Sequence, residues 1–475
     1  MGLRVMNTET GKKEEFRSLE PGKVAMYVCG PTVYDHCHVG HARSYVAFDI
    51  IRRYLEFSGY QVTYIQNFTD VDDKIINRAN EKGIPPLVLS ENFIQEYFND
   101  MGALNIKKAT VHPKASETVP DMITAIKALI ERGFAYESSG SVYFEVERAK
   151  DRFGRLRHQS LDDMLDGARV DSGEEKRDQK DFALWKAAKP GEISWDSPWG
   201  KGRPGWHIEC STMAEKYVGR TLDIHGGGMD LIFPHHESEI LQAESLNDRR
   251  FANYWLHNGF VEMNKEKMSK SLGNFFTIRE ILSRYEPMVL RFFLAYTHYR
   301  SSIEFSDAAL DESARSFDRL RALFTLLQGQ VKGTEPDPGS LDKDVLEMVK
   351  EARKDFMDAM DDDFNTRIAI TVLFKMDQLS RKLQKEGRMD GCNADAVLSL
   401  FNELTGVLGL DCGERRNNDA LGGNMAQGLL QLLIDVRARA RKGKDFATSD
   451  MIRDRLKELG IVLEDGEVTK WKSVM

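Results

Sequence analysis

The chain is poor in cysteine and has no long apolar runs. Its five cysteines, Cys29, Cys37, Cys210, Cys392 and Cys412, are scattered over 475 residues. Such usage does not make a disulfide framework and leaves the thiols for metal or chemistry. No two of them form a C-x2-C pair, which excludes the common structural zinc knuckle. No stretch of about 18 uncharged apolar residues occurs, and the opening MGLRVMNTET has no apolar signal core, so a cytoplasmic protein without a membrane span is expected. Positive charge is in the minority: 66 Lys and Arg face 75 Asp and Glu, a net charge of −9. That balance creates no simple expectation of nucleic-acid binding and does not exclude it, because a large enzyme can confine basic residues to one face. Internal repeats are also absent.

A chain of this length exceeds one hydrophobic core, so two to four domains are expected. KVAMYV (Lys23 to Val28) reads as a strand, and the stretch after His41 carries Val46, Ile50, Tyr54 and Phe57 near helical spacing. YQVTYI (Tyr60 to Ile65) and DVDDKIINRANEKG repeat that alternation, which points to a parallel α/β sheet with ligands at the carboxyl ends of its strands. Between about residues 111 and 205 the pattern loosens into a helix, a hairpin-like FAYESSGSVYFEV and a polar segment, read as an insertion. Alternation resumes at LDIHGGGMDLIF, and charged amphipathic helix dominates from Ala308 to about Ala440. The end of the chain carries a basic helix and a β-rich IVLEDGEVTKW.

Residues 29 to 41, CGPTVYDHCHVGH, hold two cysteines and three histidines just behind the first strand. Cys29, Cys210 in GWHIECS and a His and Glu from HHESE are a zinc-compatible set, since His235 and Glu239 share a face if helical. Spacing alone does not choose His235 over His236, and two buried cysteines beside a solvated His/Glu helix is the plainer alternative. His38 and His41 are three apart at a glycine-containing helix start, where both can face an anion held by backbone N–H groups. Far along the chain, KMSKS (267 to 271) offers Lys267 and Lys270 on a small-residue loop suited to a departing pyrophosphate. By average composition this pentapeptide arises by chance in roughly one of several thousand such chains.

HVGH followed by KMSKS resembles the paired signatures of class I aminoacyl-tRNA synthetases. MYVCGPTVYD, NFTDVDDKIINRAN, GRPGWHIECS, HGGGMDLIFPHHESE, HYRSSIEFS, MDDDFNT and IRDRLKELGIVLEDG, in that order, resemble the cysteinyl-tRNA synthetases across essentially the whole chain. The resemblance implies an α/β fold. Residues 1–305 would form a Rossmann-like catalytic domain, with an insertion at about 111–205 and a signature-loop and stem-contact region at about 255–305. A helical bundle would follow over 306–430, and a small mixed α/β anticodon-binding module over 431–475.

For activity, the resemblance implies ATP-dependent ligation of L-cysteine to tRNA(Cys) through cysteinyl-adenylate. One Zn²⁺ per subunit would be held by Cys29, Cys210, His235 and Glu239, and Mg²⁺ would accompany ATP. The zinc would take the substrate thiolate, which a serine hydroxyl, harder and far less acidic, cannot replace, so no editing site is needed. His38, Gly40, His41, Asp230, Lys267 and Lys270 would bind ATP, with His38, His41, Lys267 and Lys270 stabilising the transferring phosphates and Asp230 taking either the ribose hydroxyls or the substrate amine. Thr69 and Trp206, with Cys29, would line the cysteine pocket; His207 and His236 would support the metal ligands, and Cys37 would have no catalytic role. Arg437, Arg439, Arg441, Lys442 and Lys444 would face tRNA phosphates, and Trp471 would stack on an unpaired base. A monomer is implied.

Two departures are small: Val39 stands where the family signature has Ile, and Arg367 where proline is common. The related ligase that passes cysteine to an amino sugar lacks the carboxyl-terminal module, and a zinc hydrolase has no use for KMSKS.

Overall fold

The computed structural model describes residues 2–159, 176–263, 266–268, 275–331, 341–413, 430, 432–443, 445–458, 461–464 and 470–473. Contacts divide the chain into two compact units, residues 1–412 and 413–475.

The first unit begins with a hairpin of β1 (Arg4–Asn7) and β2 (Lys12–Glu15). The chain then enters β3 (Lys23–Val28), α1 (Val39–Phe57) and β4 (Gln61–Gln66). Two helices follow, α2 (Asp73–Lys82) and α3 (Pro86–Ala103). The apolar KVAMYV and QVTYIQ runs pair in parallel from Lys23↔Gln61 to Val28↔Gln66. Much later β9 (Leu222–Gly228) pairs with the other edge of β3, and β10 (Ala252–Asn258) pairs with β9, both in parallel. The strand order is therefore β10-β9-β3-β4, and chain direction across the sheet reverses between β3 and β9. Ligands of such sheets bind at the carboxyl ends of the strands flanking that reversal.

Strand alternation divides the interior. Val24, Met26 and Val28 join one core with α1 and the helical region, while Tyr27 and Cys29 join a second core with the insertion. That insertion starts with α4 (Val119–Glu131). It continues as an antiparallel sheet of β5 (Ala135–Ser138), β6 (Ser141–Phe144), β7 (Phe182–Ala187) and β8 (Gly202–Pro204). The hairpin read from FAYESSGSVYFEV turns at Ser139 and Gly140, whose φ values are +51° and +80°. Helix α5 (Trp206–Tyr217) leads back to the main sheet, and α6 (Glu237–Asn247) connects β9 to β10.

After β10, short strands β11 (Val261–Met263) and β12 (Glu266–Lys267) form a small sheet with β13 (Ile303–Glu304). Helices α7 (Ile278–Leu282) and α8 (Pro287–Ala295) lie between. The rest of the unit is helical: α9 (Asp307–Val331), α10 (Lys343–Asp361), α11 (Thr366–Lys385) and α12 (Gly391–Leu408). Each of α10, α11 and α12 starts at an Asp or Asn, Asp342, Asn365 and Asp390, whose side chain accepts a first-turn backbone N–H. Asn365 supplies that cap just before Arg367, so the missing proline leaves the helix start intact.

The bundle is joined to α1 by a buried ion pair. Arg291 on α8 donates to Asp49 at 2.5 Å, to the carbonyl of Leu408 at 2.9 Å and to that of Leu104 at 2.8 Å, while Arg53 donates to the same Asp49 oxygen at 2.7 Å. Here an Arg is fully surrounded by acceptors, the condition under which a buried charge is tolerated.

In the second unit, helical residues 432–442 and α13 (Phe446–Glu458) share a small core of Leu430, Ile434, Ile452 and Leu456. A hairpin of β14 (Ile461–Glu464) and β15 (Lys470–Ser473) sets Trp471 opposite Leu463. Arg439, Arg441 and Lys442 are exposed. Arg437 is buried, because it falls on the face that carries Ile434, and this removes it from the basic patch read from the sequence. Lys444 lies outside the described residues.

Candidate active site

At the carboxyl ends of β3 and β9 lies a cleft of about 290 Å³. It brings together Cys29, His38, Gly40, His41, Thr69, Trp206, Cys210, Asp230 and His235 from five stretches of chain. Glu239 lies behind this wall, fully buried. Met268 also lines the cleft, next to Lys267, whose backbone pairs with Glu262 in the small sheet. Lys270 lies outside the described residues.

The signature turn is held in part by its own residues. His38 is the extended residue before α1, and its N–H donates to Nδ1 of His41 at 3.2 Å. Nδ1 of His41 is thereby an acceptor, so in the neutral ring Nε2 carries the proton. The two imidazoles stack, with centroids 3.9 Å apart. Gly40 leaves room for the His38 ring, which a β-carbon 2.8 Å from its Cε1 would displace. Cys37 packs in the core and offers its carbonyl to the N–H of Ile278 at 2.9 Å.

Deeper in the cleft, ligand-type atoms of Cys29, Cys210, His235 and Glu239 lie within 4.8 Å of one another, all buried. The plainer expectation of a solvated His/Glu helix is overturned, since His235 and Glu239 are 1% and 0% exposed. A second, overlapping group under the same distance limit is Cys29, His225, His236 and Glu239. The two differ in what their atoms already do. In the second group Nε2 of His225 lies 2.8 Å from Oε2 of Glu239, and Nε2 of His236 lies 3.3 Å from Sγ of Cys29. His236 is braced in turn by His257 at 2.8 Å, and His257 by the Thr8 hydroxyl at 2.8 Å.

In the first group, Oε1 of Glu239 is buried with no hydrogen-bond partner and faces Nε2 of His235 at 3.8 Å. Sγ of Cys29 is 3.8 Å from Sγ of Cys210. His207 meets Nδ1 of His235 at 2.9 Å and Trp206 stacks on its ring at 4.4 Å, which orients Nε2 toward the thiols. An orphaned carboxylate oxygen beside two thiols and an oriented imidazole fits the donor chemistry of a zinc site.

Burial governs ionisation here. It pushes the Cys29 and Cys210 thiols up and lowers His235 to about 3, so without a cation the thiols stay protonated and the imidazole neutral. A bound divalent ion would reverse the preference of the thiols.

Several site residues were not singled out from the sequence. Glu209, 1% exposed, accepts the Thr69 hydroxyl at 2.6 Å, and burial pushes its carboxyl well above the usual range. Asn67 accepts the N–H of Gly30 at 2.8 Å, where a glycine is obligatory because a β-carbon would sit 1.6 Å from the Asn67 carbonyl oxygen. His225 stands in LDIHGGG and His257 in YWLHN, where no spacing rule marks either. Asp230 follows Gly228 at the end of β9, at the cleft edge.

A parallel sheet with H-x-G-H at its switch point, in a chain that also carries K-M-S-K-S from Lys267 on β12, defines a class I aminoacyl-tRNA synthetase. Residues 15–315 match the family described as tRNA synthetases class I (C) catalytic domain, and residues 355–412 match the DALR domain. The chain belongs to the cysteine–tRNA ligase family and charges tRNA with cysteine. It is 51% identical to the cysteine–tRNA ligase of Heliobacterium modesticaldum, over 99% of this chain and 100% of that one. It is 50% identical to that of Geobacter sulfurreducens over the same shares. Among solved structures, it superposes on the LeuRS of Agrobacterium radiobacter K84, in a ternary complex with tRNA and LeuAMS, with a TM-score of 0.63 at 12% identity, covering 83% of this chain and 85% of that chain. The methionyl-tRNA synthetase of Mycobacterium tuberculosis with methionyl-adenylate gives 0.61 at 13% identity, covering 82% and 91%. At such identities the likeness concerns the fold. Among the described residues no helix is long and apolar enough to cross a membrane.

Proposed function

We propose that Cys29, Cys210, His235 and Glu239 hold one Zn²⁺ per subunit at the floor of the cleft and that cysteine is recognised there. The observation that carries this is the buried, unpartnered Oε1 of Glu239 among two thiols and an oriented imidazole. This set is favoured over the alternative one because Cys29, Cys210 and His235 line the cleft, whereas His225 and His236 do not. When bound, zinc supplies a soft Lewis acid that favours a thiolate over a hydroxyl.

The remaining chemistry belongs to side chains of this chain. Thr69, its hydroxyl proton committed to Glu209, presents lone pairs to the amino acid, and Trp206 closes the pocket over His235. Asp230 binds the ribose hydroxyls or the substrate amine. The cysteine carboxylate attacks the α-phosphorus of ATP, forming the mixed anhydride and releasing diphosphate. His41 donates from Nε2 to the α-phosphoryl oxygens, with His38 stacked against it and Gly40 leaving room at the helix start. Lys267 and Lys270 neutralise the departing phosphates, with Mg²⁺ carried by ATP. The terminal adenosine of the tRNA then takes the cysteinyl group and AMP leaves.

Helices α9 to α12 serve as the bundle beside the tRNA, and the second unit binds the anticodon with Arg439, Arg441, Lys442 and Trp471. The enzyme works as a cytoplasmic monomer. Transfer of labelled cysteine to total tRNA with ATP and Mg²⁺, with serine as control, tests the reading. Cysteine-specific charging by a preparation holding one zinc per chain supports it, and full charging by zinc-free enzyme refutes the metal assignment.

A further inference from the structure

Two segments marked in the sequence, HYRSSIEFS and MDDDFNT, have no part in the chemistry above. They meet at one turn, and that turn is gripped by a residue of the signature helix. Arg43, two residues after His41, is 2% exposed. Its guanidinium donates to the carbonyls of Leu294 (2.6 Å), Thr297 (3.2 Å), His298 (2.7 Å), Tyr299 (3.0 Å) and Ser301 (3.1 Å). The two terminal nitrogens of this buried arginine reach five main-chain oxygens, while its Nε is left without a hydrogen-bond partner, and they fix a backbone path because those acceptors cannot rotate away.

The path it fixes leads to the facing wall of the cleft. Tyr299 accepts the N–H of Gly259 at 2.8 Å, and the N–H groups of Ile303 and Phe305 donate to Phe260 and Glu262 at 2.9 and 2.7 Å. Strand β11 thus lies on this turn, and β11 carries β12, with Glu262 paired to Lys267 and the N–H of Met268 bonded to Val261. On the far side, Asp363 of MDDDFNT accepts the Tyr299 hydroxyl at 2.9 Å and the N–H of Met6 at 2.8 Å. Asp363 and Phe364 hold φ values of +63° and +53°, a strained arrangement that persists only where surrounding contacts impose it.

We propose that Arg43 is a positioning residue for adenylation, setting the separation between the His38/His41 turn and the strand that carries Lys267. The inference rests on the assignment of Lys267 to the departing phosphates.

The test uses the full-length, zinc-loaded enzyme and cysteine-dependent pyrophosphate exchange. Arg43→Lys keeps the charge, but its single nitrogen cannot bridge carbonyls spread from 294 to 301. The expected result is a kcat lower by about ten- to a hundred-fold, with zinc content unchanged and the KM for cysteine within about two-fold. Unchanged kcat, or a loss that follows zinc content or cysteine KM, overturns the inference. Gly259→Ala perturbs the same junction from the opposite side, since the added carbon would sit 2.5 Å from the Ser301 carbonyl. It should show the same kcat-selective loss, and it decides the matter if Arg43→Lys does not fold; normal kcat in Gly259→Ala overturns the inference. Lys267→Ala separates the two readings. If it leaves kcat intact, the phosphate assignment fails and takes the inference with it. An impaired Lys267→Ala beside a normal Arg43→Lys rejects the clamp alone.

Discussion

His38 and Thr277 form an antiparallel bridge, with the N–H of Val39 bonded to the Phe276 carbonyl at 3.1 Å and that of Ile278 to Cys37 at 2.9 Å. The segment after KMSKS is thereby tied to the histidine turn, while the segment before it is tied to β11. The described residues on either side of 269–274 are thereby both fixed to the main body of the first unit. Lys270→Ala is expected to slow adenylate formation by about a hundred- to a thousand-fold, the scale of one lost transition-state donor, and to leave cysteine affinity nearly unchanged. Pre-steady-state rates of adenylate formation with equilibrium cysteine binding check this; equal losses in both would contradict it.

Cys210→Ser should lose zinc and cysteine activation together. The serine hydroxyl stays protonated and is a poor zinc ligand, and Cys210 is 2% exposed, so solvent offers no replacement. Metal content of the purified variant is the measurement, and a normal zinc content would reject the ligand assignment.

Thr69→Val removes the donor to Glu209 and leaves a buried carboxyl oxygen unsatisfied. A loss of about 1–3 kcal/mol is expected, divided between stability and cysteine kcat/KM. Denaturant titration together with steady-state exchange measures both parts, and a variant unchanged in each would reject a role for the Thr69 hydroxyl in cysteine binding.

Arg291→Ala should destabilise the enzyme by about 3–5 kcal/mol, because it leaves the buried Asp49 with only Arg53 and the Lys107 N–H as partners. A urea titration reads this directly. A loss below about 1 kcal/mol, the range of exposed pairs, would mean the site rearranges to admit water.

His112 makes acid sensitivity predictable. Its Nε2 accepts the N–H of Ala109 at 3.0 Å and its Nδ1 lies 3.0 Å from the Gln66 carbonyl, a pair of bonds that only the neutral ring satisfies. Burial lowers this imidazole from 6.5 to about 4. The unfolded chain therefore takes up the proton first, so stability falls as pH drops from 6.5 toward 4, at up to about 1.4 kcal/mol per pH unit from this residue. His112→Asn should flatten the stability–pH slope in that window, and an identical slope would show that His112 titrates freely.

Much of this protein is written locally. The strands Lys23–Val28 and Gln61–Gln66, the helix after His41, the hairpin at Ser139–Gly140 and the amphipathic helices after residue 307 follow from short-range periodicity and turn chemistry, which neighbouring residues suffice to specify. The signature stretches were legible for the same reason: each acts as a contiguous unit, and their order marks the family. Tertiary structure alone decided three things. It placed Glu239 with one oxygen unpartnered and brought His225 against the other, because residues from separate elements carry no mutual period in the sequence. It buried Arg437, since which face of a helix packs depends on its neighbours. And it spent Arg43 on the carbonyls of residues 294 to 301, contacts whose partners are main-chain atoms common to every residue and therefore leave no trace in side-chain pattern.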